Sequence, residues 1–143
     1  MLSVVNSLPH QLNKRNDWST CFTNEGTFPR LNVVTSPDTP TEGQQAKFTV
    51  SGNIPQDIDG NDQLWIIFIN DDDTKDVTSY STPACGANDL PQCPIKAGTD
   101  FSVFMEVDSV PQFPDAFDIY AVIGNPPDTT KACAYTDEWP DGP

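Results

Sequence analysis

The side chains here with the most chemical potential are carboxylates and cysteines. Asp57-Ile58-Asp59-Gly60-Asn61-Asp62 and Asp71-Asp72-Asp73 each gather oxygens of the kind that bind calcium. Neither has the EF-hand spacing with its terminal Glu, so Asp-rich turns at strand ends are the plainer reading. Paired carboxylates can hydrolyse a glycosidic bond, but the right separation is a three-dimensional property. The four Glu are dispersed among turns and strand edges and designate no pair. The single histidine, His10, lies in a polar N-terminal stretch. That leaves almost nothing for imidazole metal sites or for Ser-His and Cys-His catalysis. No Gly-rich phosphate loop or nucleophile elbow is present. The expectation is no enzyme, no cofactor and no metal.

The cysteines speak about compartment instead. Cys21, Cys85, Cys93 and Cys133 form an even set without a CxxC pair, which suits zinc poorly. Cys85 and Cys93 flank a short loop, while Cys21 and Cys133 sit near opposite ends of the chain. Local closure favours 85–93 with 21–133, and disulfides place the protein in a secreted or lumenal compartment, a vacuolar or lysosomal one included. Four buried free thiols are the alternative.

Composition then sets the class of element that must hold these residues. Of 143 residues, 14 are Pro, and Asp outnumbers Glu by 17 to 4. Asp and Pro favour turns, whereas the bulky apolar residues are mainly Val, Ile and Phe, which fit strands. The formal net charge of −14 repels a phosphate backbone, so nucleic acid is excluded as a partner. No apolar run approaches the roughly 18 residues of a membrane span.

The punctuation is regular. Leu31–Thr35 is a β-prone run stopped by Ser36-Pro37-Asp38-Thr39-Pro40. Ala46–Gly52 alternates, with Phe48 and Val50 on one side. Asn53–Asn61 reads as a polar loop. Leu64–Ile69 is six consecutive apolar residues, which suits a strand covered on both faces. Asp76–Tyr80 follows, and then the loop with Cys85 and Cys93. Phe101, Val103, Met105 and Val107 alternate with Ser102, Phe104, Glu106 and Asp108. Phe117, Ile119, Ala121 and Ile123 alternate with Asp118, Tyr120 and Val122. Ala132–Tyr135 is a last short strand, and Glu138–Pro143 reads as a frayed tail. About seven short strands with Pro, Gly and Asp turns and no helical segment predict an all-β, antiparallel sandwich.

One domain is expected over 16–143. Residues 1–15 form an N-terminal extension without the apolar core of a signal peptide, ending at the dibasic pair Lys14-Arg15. A propeptide remnant cut after that pair and an ordinary solvated basic pair are both open readings.

An unusual supply of large apolar side chains remains: Phe48, Trp65 and Phe68, then Phe101, Phe104 and Met105, then Phe113, Phe117 and Tyr120. They either fill a plain sandwich core or line a space for an apolar ligand, and periodicity does not choose between the two.

Several stretches carry a family resemblance. Trp18-Ser19-Thr20-Cys21 precedes Val34-Thr35-Ser36-Pro37-Asp38-Thr39-Pro40-Thr41-Glu42-Gly43, and Phe48-Thr49-Val50-Ser51-Gly52 follows. Cys85 then precedes Cys93-Pro94-Ile95-Lys96-Ala97-Gly98, with Phe101-Ser102-Val103 after it and Cys133 in the closing strand. Over about residues 17–137 this resembles the ML lipid-recognition domains. That family includes sterol carriers of the Niemann–Pick C type, mite group-two allergens and fungal phosphatidylglycerol/phosphatidylinositol transfer proteins. The fungal branch is the most similar, chiefly through Ser-Pro-Asp-x-Pro-x-x-Gly. The third disulfide of some relatives has no cysteines here, and the Asn70–Asp73 turn is strongly acidic.

The resemblance implies an immunoglobulin-like sandwich with two disulfides and a hydrophobic cavity between its sheets. That cavity would hold one lipid (phospholipid, sterol or fatty acid) for carriage between membranes, with transient membrane-surface contact and a monomeric state. The lining expected is Phe101, Val103 and Met105 beside Phe117 and Ile119, with Leu64, Ile66 and Phe68 opposite and Phe48 on the neighbouring strand. The phase of Leu64–Ile69 is open, since a one-residue slip exchanges its faces. Tyr80 and Phe113 are the candidates for the mouth. The competing function is a secreted recognition module with a filled core that uses the sandwich exterior; a hydrolase is the third.

Overall fold

A computed structural model describes residues 18–23, 26–36, 40–70, 77–86, 90–112, 117–126 and 129–139. Among these the chain forms ten strands and no helix. Three are two-residue pieces near the start: β1 (Ser19–Thr20), β2 (Phe22–Thr23) and β3 (Gly26–Thr27). Seven longer strands follow: β4 (Leu31–Ser36), β5 (Ala46–Gly52), β6 (Gln63–Asn70), β7 (Val77–Pro83), β8 (Phe101–Val107), β9 (Phe117–Asn125) and β10 (Thr129–Trp139). Those seven match the β-prone runs of the sequence.

The long strands make two antiparallel layers, a five-stranded sheet in the order β1-β10-β9-β6-β7 and a three-stranded sheet in the order β4-β5-β8. Strand β6 is an interior strand of the larger sheet, paired with β9 through Ile66↔Ala121 and with β7 through Ile66↔Tyr80. Its even-numbered residues Leu64, Ile66 and Phe68 are buried, while Trp65, Ile67 and Ile69 are half-buried. The apolar run is therefore covered on both faces, with Leu64, Ile66 and Phe68 turned between the layers and Trp65 on the outer face. In the smaller sheet the cross-strand row Phe48↔Met105 and the row Val50↔Val103 face the same interior.

Two features differ from the sequence reading. The polar loop at 53–61 is anchored in the core through Ile54 and Ile58, both about fully buried. Ile58 and Ile95 exchange two backbone hydrogen bonds, at 2.9 and 2.8 Å, so the loop is pinned to the segment after Cys93. Gly98 closes that segment with φ of 80°, a left-handed conformation that glycine adopts freely, and its N–H donates to the Ile54 carbonyl at 2.9 Å. The supposed frayed tail is also partly ordered, because β10 runs on to Trp139 and pairs it with Phe117.

The disulfides join Cys21 to Cys133 and Cys85 to Cys93, with Cα separations of 5.4 and 5.2 Å. Cys21–Cys133 sits on the outer face of the larger sheet in a second apolar cluster with Val122, flanked by Phe28, Trp65 and Tyr135. There the Tyr120 and Tyr135 rings stack at 5.6 Å. The 1–15 extension, Asp71–Asp73 and Phe113 lie outside the described residues.

Candidate functional site

The space between the layers is built from alternation. Every second residue of β5, β6, β8 and β9 points inward, so four strands deliver one continuous apolar surface. Phe68 is its hub. Its ring meets Phe48 of the opposite layer edge-on at 6.3 Å, Tyr80 edge-on at 6.0 Å and Phe117 at a tilt at 5.8 Å. Phe101, Val103 and Met105 face this surface from β8, and Leu64, Ile66 and Ile119 complete it, all buried.

Tyr80 stands at the seam where edge strands β7 and β8 approach. Its hydroxyl donates to the Ser109 carbonyl at 3.2 Å, tying the larger sheet to the segment that follows β8. Three of the large apolar side chains do not contribute to the interlayer. Trp65 and Tyr120 belong to the outer cluster around Cys21–Cys133, and the Trp65 indole N–H is buried without a partner among the described residues. Phe104 is 52% exposed on the outer face of β8, in one cross-strand row with Thr49 and the 65% exposed Val34. Ile54, Ile58, Ile95 and Val110 join the core from loops, where no periodicity marks them.

The Asp-rich loop resolves into structure. The Lys131 ammonium donates to the Asp57 carbonyl at 2.7 Å and to the Asp62 carboxylate, with the Asp59 carboxylate 3.8 Å away. Asp62 is buried, and its carboxylate also accepts the Asp59 N–H at 2.9 Å. A cation already sits among these oxygens, and it is the protein's own. Among the described residues no group of three or more His, Cys, Asp or Glu is arranged for a metal.

A recess of about 440 Å³ opens where β4 begins, β5 ends and β8 begins. Arg30, Asn32, Ser51, Asn53 and Asp100 form its polar wall, and Phe101 contributes an apolar floor. Asn53 Nδ2 donates to Asp100 Oδ1 at 2.8 Å and to the Gly98 carbonyl at 3.0 Å, which fixes the carboxylate. Nothing in the sequence pattern places these polar side chains together, because they come from three strand ends.

Comparison with known proteins follows this architecture. The model of the ML domain family matches residues 15–122, well over half of the chain. Among solved structures, chicken MD-1 complexed with lipid IVa is similar, with 18% identity, a TM-score of 0.47 and coverage of 85% of this chain and 86% of that one. No curated protein sequence matches. On the family match, this chain belongs to the ML domain family.

Proposed function

We propose that this protein binds a single lipid between its two sheets and carries it between membranes, without a catalytic step. One observation carries the reading: in an ML domain, both layers present an unbroken apolar face to each other, from Phe48 and Val103 on one side to Leu64, Phe68 and Ile119 on the other. Burying an acyl chain yields about 0.8 kcal/mol per CH₂, so 16 carbons are worth on the order of 13 kcal/mol gross. A chain between the layers must displace the ring contacts around Phe68. Such aromatic pairs contribute about 0.5–1.5 kcal/mol each beyond their burial, and the packed side chains of the two layers must also part to admit the chain. The two disulfides fit a secreted or lumenal protein, the setting in which such a carrier would work.

The outward-facing Val34 and Phe104 favour a second reading, a recognition module that uses the sandwich exterior. Native mass spectrometry of the purified protein, with organic extraction of the same sample, separates the two. A carrier releases one lipid per chain and moves labelled lipid from donor to acceptor vesicles. A recognition module releases none.

A further inference from the structure

The recess at the strand ends has the make-up of a mouth. Its floor is Phe101, 6% exposed, a member of the interlayer core, and its walls are polar. Gly52 also lines it. In register, Gly52 lies between Leu31 on one side and Phe101 on the other. A Cβ there would stand 3.2 Å from Leu31 Cδ2, 3.2 Å from the Arg30 carbonyl and 3.5 Å from Phe101 Cζ. Only glycine lets the strand end lie this close to Leu31 and the Phe101 ring, and Phe101 is where the polar rim meets the apolar interior.

The rim carries two opposite charges that do not neutralise each other. Among the described residues, Arg30 has no ion-pair partner within 4.0 Å, and the Asp100 carboxylate is held by Asn53 rather than by a cation. A guanidinium is a strong phosphate donor, and a fixed carboxylate suits an ammonium group. The chain's net charge of −14 disfavours a ligand that brings only negative charge to this rim. The volume of about 440 Å³ lies within the range of about 300–1,000 Å³ typical of small-ligand sites.

We infer that this recess receives the headgroup of a zwitterionic phospholipid, with Arg30 on the phosphate and Asp100 on the ammonium group, while the chains enter the interlayer past Phe101. The inference rests on the lipid-binding function proposed above and adds the headgroup class and the location of the mouth. The mouth is then at the strand ends rather than at the Tyr80 seam.

The test uses the full chain and vesicles containing equal amounts of phosphatidylcholine and diacylglycerol, whose chains are matched. Phosphatidylglycerol replaces phosphatidylcholine in a second set. The readout is the ratio of the two lipids recovered with the protein. The phosphatidylcholine ratio should exceed the phosphatidylglycerol ratio for the wild type. Arg30→Ala should lower the phosphatidylcholine ratio about tenfold, the scale of one charge-assisted hydrogen bond, and Asp100→Ala, which removes an exposed ion contact to a quaternary ammonium without N–H donors, about threefold. A ratio that discounts the shared chains is insensitive to a general loss of fold. Equal ratios in wild type and both variants, or a preference for phosphatidylglycerol, would overturn the headgroup assignment and leave lipid binding standing. Recovery of neither lipid with the wild type would overturn both. If water-soluble phosphocholine bound at Arg30 and Asp100 while no lipid was recovered, the recess would be a site for free phosphate esters, and the inference would fail in that form.

Discussion

At the scale of single residues, Val103 is where the lipid reading is most exposed to a direct test. It is 1% exposed, faces the interlayer from β8 and pairs in register with Val50. Trp at this position would fill space that a bound chain needs. Overpacking of this kind costs about 1–3 kcal/mol, inside the roughly 5–15 kcal/mol margin of a typical domain. Val103→Trp is therefore expected to keep its circular-dichroism spectrum and its disulfides while losing lipid uptake, and Val103→Ala to retain both. Normal uptake by Val103→Trp would place the ligand elsewhere than between the sheets. The neighbouring Lys131 shows a residue that sequence reading could not assign. Asp57, Asp59 and Asp62 are recognisable as an oxygen cluster from spacing, but their cation lies about seventy positions away, on β10. Only the fold brings that ammonium to the buried Asp62, and a buried carboxylate without such a partner is costly.

At the scale of elements, what was legible followed from how locally each signal is encoded. Alternation in 46–52, 101–107 and 117–123 names the inward face directly, because the period of a strand is two. The run Leu64–Ile69 hides its phase, since both faces are apolar; register with β7 and β9 settles it. The loop residues Ile54 and Ile58 and the strand-end cluster of Arg30, Asn53 and Asp100 follow no period, so only tertiary pairing reveals them. The disulfides show the same contrast between local and distant. Cys85–Cys93 spans 8 positions and Cys21–Cys133 spans 112. In the chain-entropy model the short loop is worth about 2.6 kcal/mol and the long one about 4.8 kcal/mol. Replacing Cys21 and Cys133 by Ala should thus lower the unfolding free energy by about 2 kcal/mol more than replacing Cys85 and Cys93, read from denaturant melts of the two double variants. A smaller loss at Cys21–Cys133 would mean that the outer cluster of Val122, Trp65 and Tyr135 contributes little to holding the first strands on β10.

For the molecule as a whole, the proposed carrier function makes a charge of −14 act on the encounter with a membrane and the apolar interlayer act on what would be held. These two contributions respond differently to salt. Apolar burial is not screened, so as salt rises the equilibrium affinity for a lipid should fall by no more than the share contributed by the rim charges. Long-range repulsion between the acidic protein and an anionic bilayer is screened, with a Debye length falling from about 30 Å at 0.01 M to about 10 Å at 0.1 M. Transfer from anionic vesicles should therefore start slow and accelerate with salt, while transfer from zwitterionic vesicles should be faster at low salt and nearly flat. Headgroup preference should weaken along the same series, because the rim charges of Arg30 and Asp100 are exposed. Stopped-flow transfer of a fluorescent phospholipid, run beside an equilibrium titration at each ionic strength, measures both quantities in one sample set. An affinity that collapsed with salt would mean that surface charge, and not the interlayer, holds the lipid; a salt-independent rate from anionic vesicles would mean that the acidic surface does not govern the encounter.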